Sequence, residues 1–255
     1  MHVAVILRQV PDTSEELQIA ATGLDIDREW IGFKLCEFDD HALEEAVLLK
    51  ERAGARVTAV ALAGDGVDRM LQTAVARGAD RAVRVQHDVA NPRDARAAAD
   101  ALLPALQSLQ PDVVLTGVLT QEDVLGHLAP FLAGKLGWST LNAISGIASN
   151  GGALEVRQEY SGGRATTFGV TLPAVLGVQS ASSPPRYVSG SKLKQAMSTP
   201  IETLQGGNPS AGGSAVLTSL SLPERGVGAK MLAGDASAVA AQIVEVLASR
   251  GLIGV

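Results

Sequence analysis

Short, β-branched apolar runs alternate with Ala- and Leu-rich stretches over the first half of the chain, and that alternation limits the folds open to it. Strand-like runs fall at VAVIL (3–7), RVTAVAL (56–62), RAVRV (81–85) and DVVLTGV (112–118). Between them lie DDHALEEAVLLKERAG (39–54), DGVDRMLQTAVARGA (65–79) and PRDARAAADALLPALQSLQ (92–110), all with helical character. Strands this short and apolar, joined by helices, form a parallel sheet covered on both faces. The expected fold is α/β, a mostly parallel doubly wound sheet whose ligands sit at the carboxyl ends of the strands.

The helical stretches carry their own start and stop signals. Asp39 or Asp40 can cap the helix that buries Ala42, Ala46 and Leu49, while Glu44, Glu45 and Lys50 suit a solvated face. Gly54 ends it. Beyond Trp138 the pattern changes. ALEVRQEYSGGRATTFGVTLPAVLGVQ (153–179) reads as a hairpin turning at Ser161, Gly162 and Gly163, followed by a strand interrupted at Pro173, so the sheet gains antiparallel strands. From about 200 to 223 the chain is rich in Gly, Ser, Thr, Asn and Pro, the composition of an extended connection. A final helix over 236–250 carries Val239, Ile243, Val246 and Leu247 on one face. That stripe either packs back on its own domain or docks on a partner subunit. The division is thus an α/β domain over 1–204 and a linker with a docking helix over 205–255.

Composition narrows the function. Apolar residues are 46% of the chain but aromatic ones only 3%, so the core is built of Ala, Val and Leu and no stacking platform for bases is expected. A formal charge of −6 with no basic stripe argues against a nucleic-acid partner. Cys36 is the only cysteine, which leaves no internal disulfide and no thiolate zinc site. His2, His41, His87 and His127 lack the spacing of a helical metal pair. The N-terminal MHVAVIL lacks a charged leader, and no apolar run reaches the roughly 18 residues of a membrane span. A cytoplasmic protein without membrane insertion is expected.

Catalytic signatures are missing: there is no GxSxG elbow, no matched Cys-His arrangement and no P-loop. Gly64, Asp65 and Gly66 follow a strand and precede a helix, where a phosphate could be held or where the chain could simply turn. TQEDVLGH (120–127) has the same placement with more polar groups. Thr120 as a helix cap, with Glu122 and Asp123 in the first turn, accounts for three of them.

The order of motifs, RQVPD (8–12), FDDHALEEAVLLKE (38–51), VTAVALAGDG (57–66), LQTAVARGADRAVRV (71–85), PDVVLTG (111–117), APFLAGKLGW (129–138), LPAVLGV (172–178) and PPRYVSGSKLKQA (184–196), resembles the β subunit of electron transfer flavoproteins, the FixA-like family. The resemblance covers about residues 1 to 204, and the last helix fits the family's C-terminal arm. It implies an adenine nucleotide α hydrolase-like fold and a heterodimer with an α subunit that holds most of a flavin adenine dinucleotide. It further implies electron transfer from a dehydrogenase to a quinone reductase or other acceptor, with no substrate chemistry in this chain. The cofactor-binding positions it implies are Ile6, Cys36, Phe38, Leu62, Glu122, Asp123, Gly126, His127 and Leu128, with Phe38 beside the flavin.

Two departures from the family pattern lead to expectations of their own. Aligned from Gly117 to Pro130, the family's run of aspartates becomes Glu122, Asp123 and Val124, and its Asn-Gln-Thr becomes Gly126, His127 and Leu128. Donors for a bound adenosine monophosphate are thereby lost, and binding is expected to be weak or absent. In the partner-recognition segment Pro185, Arg186 and Tyr187 match. The leucine that anchors acyl-CoA dehydrogenases aligns with Gly190, leaving Lys192 and Leu193 as the expected contacts. Two other classes stay open: a stand-alone adenine-nucleotide-binding protein of universal-stress type, and a hydrolytic or synthetic enzyme of the same fold.

Overall fold

The computed structural model describes the chain apart from residues 15, 90–92, 124, 151–152, 209–216, 225, 227 and 255. The expected alternation is present. Strand β1 (His2–Ile6) is followed by a small antiparallel pair, β2 (Gln9–Pro11) and β3 (Phe33–Leu35), then by α1 (Glu37–Ala53), β4 (Arg56–Leu62), α2 (Val67–Arg77), β5 (Arg81–Gln86), α3 (Ala95–Leu109), β6 (Val113–Gly117) and α4 (Leu128–Leu136). The second half adds β7 (Ser139–Asn150), β8 (Ala153–Tyr160), β9 (Arg164–Val170), β10 (Ala174–Val178), α5 (Gly190–Ala196), β11 (Glu202–Gln205) and α6 (Ala236–Ser249).

Nine strands form one sheet in the order β11-β5-β4-β1-β6-β10-β7-β8-β9. From β11 to β7 every neighbour runs parallel, while β8 and β9 continue it as antiparallel strands. The period-two alternation of a strand sorts the side chains. Val3, Val5 and Leu7 meet α1 and α2 on one face, and Ala4 and Ile6 meet α3 and α4 on the other. Because β1 leads toward β4 on one side and β6 lies on its other side, a crevice opens between their carboxyl ends.

Three local expectations need correction. First, α1 starts at Glu37 with Cys36 as its N-cap, so neither Asp39 nor Asp40 is the cap. Asp39 is already engaged inside the protein, as described below. Second, Glu44 and Glu45 are buried rather than solvated, because β7 and residues 180–186 lie over that side of α1 and supply hydrogen-bond donors. Third, part of the stretch read as an extended connection is packed. β11 pairs with β5, and the N–H groups of Gly206 and Gly207 donate to Gln86 and Ala101 carbonyls. Residues 209–216 of that stretch and the expected helix start at Pro92 lie outside the described residues, and α3 is capped by Asp94, which accepts from the Ala97 N–H at 2.8 Å.

Candidate functional site

At the carboxyl ends of β1, β4 and β6 lies a cavity of about 480 Å³. Its walls are apolar: Ile6 and Leu62 from the strand ends, Val67 and Met70 from α2, Leu102 from α3, and Leu128 from α4. The charged part of the lining comes from five connections: Arg8 after β1, Asp25 and Arg28 between β2 and β3, Asp65 between β4 and α2, Arg93 before α3, and Glu122 and Asp123 between β6 and α4, three cations facing four anions.

Beneath the cavity, Asp39 ties the strand ends together. It is fully buried and accepts four hydrogen bonds: from the Arg8 N–H at 2.8 Å, Arg8 Nε at 3.0 Å, Arg8 Nη2 at 2.8 Å and the Gly117 N–H at 2.7 Å. Arg8 also donates to the Gly117 carbonyl at 3.0 Å. Burial alone would disfavour the Arg8 charge, but Asp39 outweighs it and raises the guanidinium above its ordinary value. Gly117 has no alternative here, since a Cβ would meet Asp39 Oδ1 at 2.5 Å. Aspartate and arginine thus fix the first turn of α1 to the ends of β1 and β6.

Across the cavity, Asp25, Arg28, Glu122 and Arg93 form a closed set of ion pairs. Arg28 reaches Asp25 Oδ2 at 3.2 Å and Glu122 Oε1 at 2.5 Å; Arg93 reaches Asp25 Oδ1 at 2.8 Å and Glu122 Oε1 at 3.3 Å. Burial opposes ionisation of Asp25, yet hydrogen bonds from Arg93, Arg28 and the Ile26 N–H hold its carboxyl down at about 2. Asp123 sits deeper. Its side chain is only 10% exposed, one oxygen has no hydrogen-bond donor, and the nearest cation is Arg8 at 3.9 Å.

Of the sequence-predicted cofactor residues, Ile6, Leu62, Glu122, Asp123 and Leu128 come together on this cavity. Cys36, Phe38, Gly126 and His127 do not line it. The Cys36 thiol is buried, donates to the Leu119 carbonyl at 3.4 Å and is pushed up to about 11 by burial, so it stays a thiol. Phe38 is half-buried in the first turn of α1 and stands outside the packed core. His127 is exposed, with its ring edge-on to Phe131 at 5.8 Å.

The helix-cap reading of Thr120 also needs correcting. Its hydroxyl accepts from the Asp123 N–H at 2.9 Å, but this closes a loop turn rather than a helix start, and α4 begins only at Leu128 after His127. The turn between them passes through Gly126 at φ 62, where a Cβ would meet the Val118 carbonyl at 2.5 Å. Val124 lies outside the described residues. Sequence reasoning did not single out Asp25, Arg28 or Arg93, which carry no motif and meet only through the tertiary fold. Arg8 did stand in the RQVPD motif, at the end of a strand.

The partner-recognition positions follow a stretch held against α1 by Glu44 and Glu45. Glu45 accepts from the Ile147 N–H at 2.7 Å, the Ser182 N–H at 2.8 Å and the Ser182 hydroxyl. Glu44 accepts from the Arg186 N–H at 3.0 Å and from its guanidinium at 2.8 Å, and Glu51 takes a further bond. Arg186 is therefore an anchor of the segment, its charge favoured by Glu51 and Glu44. Tyr187, beside it, is 93% exposed. Gly190 and Lys192 are exposed at the start of α5, with Pro185 and Leu193 half-buried.

A doubly wound sheet with a cavity at its strand ends and an anchored surface segment defines the class, and comparison with known proteins places the chain within it. Residues 24–206 match the electron transfer flavoprotein domain. The chain is 31% identical over 259 residues to the electron transfer flavoprotein subunit beta of Methylophilus methylotrophus, covering 97% of this chain and 98% of that one. It is similar to the subunit of the same name from Bacillus subtilis (29% over 208 residues, 80% and 79%) and from Syntrophomonas wolfei (32% over 209 residues, 80% and 79%). The chain belongs to the β-subunit family of electron transfer flavoproteins.

The residues present can be weighed against the two groups that family implies. Phe38 offers a half-buried aromatic surface at the sheet's carboxyl edge, which fits flat contact with a flavin held by another subunit. The cavity does not fit a phosphate-bearing nucleotide. Arg28 and Arg93 already pair with Asp25 and Glu122, anions outnumber cations in the lining, and Asp123 presents a further carboxylate oxygen.

Proposed function

We propose that this chain is the β subunit of a heterodimeric electron transfer flavoprotein, paired with an α subunit that holds most of a flavin adenine dinucleotide. The observation that carries the pairing is α6. It is well formed, with Asp235 capping the Ala238 N–H at 2.8 Å, yet it buries none of its residues against its own chain. Ile243, Val244 and Val246 stay 39–50% exposed. A fourteen-residue helix with an uncovered apolar stripe is stable only when something covers it, and an α subunit supplies that cover.

The flavin, when bound, supplies the electron-carrying chemistry. This chain's part would be to cover and orient it: Phe38 would offer its ring to the flavin, and the Arg8, Asp39 and Gly117 tie holds the turn that carries Phe38. Electrons pass from a dehydrogenase docked on the 184–196 segment to a quinone reductase or other acceptor. No residue of the chain needs to act as acid or base, which fits an electron carrier rather than an enzyme. A cytoplasmic location accords with the finding that no described helix is long and apolar enough to cross a membrane. A stand-alone nucleotide sensor leaves α6 without a purpose.

Replacing Phe38 by Ala tests the reading. The heterodimer should show a shifted flavin absorbance band or lose flavin on gel filtration while its far-ultraviolet circular dichroism stays the same. An unchanged flavin spectrum with a sharply lowered melting temperature would make Phe38 a packing residue and remove it from the site.

A further inference from the structure

The cavity's charge arrangement is unlike that of an anion site. A pocket built for a phosphate leaves cations or N–H groups free of protein acceptors. Here Arg28 and Arg93 each hold the same two carboxylates, Asp25 and Glu122, and these four side chains bridge three separate segments: the 19–33 loop, the residue before the α3 cap, and the loop between β6 and α4. A ligand at the strand ends of a doubly wound sheet commonly joins such segments. The second, independent observation is Asp123, nine-tenths buried on the same cavity with one oxygen lacking any hydrogen-bond donor. That oxygen repels an anion and calls for a donor.

We propose that the Asp25, Arg28, Glu122 and Arg93 cluster stands in for a nucleotide phosphate in this chain, so that the cavity excludes adenosine monophosphate and holds its loops together with its own carboxylates. The inference rests on the reading of the chain as a β subunit. What space remains, walled by Ile6, Leu62, Met70 and Leu128, suits an uncharged molecule that can donate a hydrogen bond to Asp123. Depression of the Asp25 carboxyl by Arg93 and Arg28 agrees with this pairing.

Removing the two carboxylate charges while keeping the arginines should convert the cavity into an anion site. The experiment uses the full chain, alone and co-purified with its partner, as wild type and as the Asp25→Asn/Glu122→Gln double variant, titrated calorimetrically with adenosine monophosphate and with inorganic phosphate. Nucleotide released by denaturing the purified protein is measured as well. The wild type should release none and bind neither probe, and the double variant should bind adenosine monophosphate at least about tenfold more tightly. Adding Arg93→Ala to the double variant should reverse that gain. If the double variant does not fold, the nucleotide content of the wild type decides alone. Near-stoichiometric adenosine monophosphate in the wild type, or equal affinity in both proteins, would overturn the proposal. A wild type that carries the nucleotide and still pairs with its partner would do so while leaving the β-subunit reading standing.

Discussion

The cavity cluster and the glutamates of α1 put charge to opposite uses. At the carboxyl edge of the sheet, Arg28 and Arg93 pair directly with Asp25 and Glu122 in the cavity lining, and each of the four is 18–34% exposed. Toward the recognition segment, Glu44 and Glu45 are only 3% and 0% exposed, and their partners are the N–H groups of Ile147, Ser182 and Arg186, the Ser182 hydroxyl, and the guanidiniums of Arg186 and Arg77. Semi-exposed ion pairs contribute little each and are screened by salt. Fully buried carboxylates are different, because removing either partner strands the other in a low dielectric. The first arrangement can therefore be altered with the fold intact, whereas the second, like Asp39 beneath the cavity, is part of the fold.

That contrast can be broken most sharply at Asp39. Substitution by Ala would remove three of the Arg8 hydrogen bonds and the acceptor of the Gly117 N–H, and should cost about 3–5 kcal/mol in urea unfolding. The Asp25→Asn change, at the exposed cluster, should cost under about 1 kcal/mol. Equal losses at the two sites would erase the distinction.

Next in size is the arm. Ending the chain after Asn208 keeps β11 and its contacts but removes α6. Association with the α subunit should weaken by about two powers of ten or more, given roughly 1.5–3 kcal/mol for each large apolar side chain left uncovered. The circular dichroism of the remaining α/β domain should keep its shape, and co-purification measures the association.

A smaller effect is expected at Gly190, where an added Cβ meets nothing within 4 Å. Gly190→Leu should leave the melting temperature unchanged and raise electron transfer from an acyl-CoA dehydrogenase, since a filled hydrophobic pocket is worth about 2 kcal/mol or more. High activity in the wild type with no change in the variant would show that this position is not the anchor.

The smallest is a pH effect. Asp25 titrates at about 2 in the folded protein against an ordinary 3.8. A depressed folded value means that its stabilisation is present above 3.8 and is lost as pH falls through 2. Glu122 shares both arginines with Asp25. Asp25→Asn should flatten that low-pH limb of the unfolding curve, and a limb of unchanged slope would place the titration elsewhere.

The fold was legible where periodicity is strong. β1, β4 and β6 are largely apolar because both their faces are covered, and the helices between the strands are Ala-rich amphipaths. What escaped had weaker local signals. β7 is STLNAISGIASN, half polar because much of its length lies outside the core; α5 opens with Gly and Ser; β11 is four residues long. The buried roles of Glu44 and Glu45 depend on donors 102 to 142 residues away, so an adjacent pair of glutamates on a helix reads as surface. The hydrophobic half of the cavity was placed through Ile6, Leu62 and Leu128. Of its charged half only Glu122 and Asp123 were placed, because Asp25, Arg28 and Arg93 sit in irregular loops where spacing carries no information about contact.

Pairing of this chain with a flavin-holding subunit is tested most directly by purifying the native complex on a tag carried by this chain. A yellow one-to-one heterodimer that releases one flavin adenine dinucleotide on denaturation is expected, with flavin lost when α6 is removed. A colourless monomer that binds an adenine nucleotide on its own would contradict it.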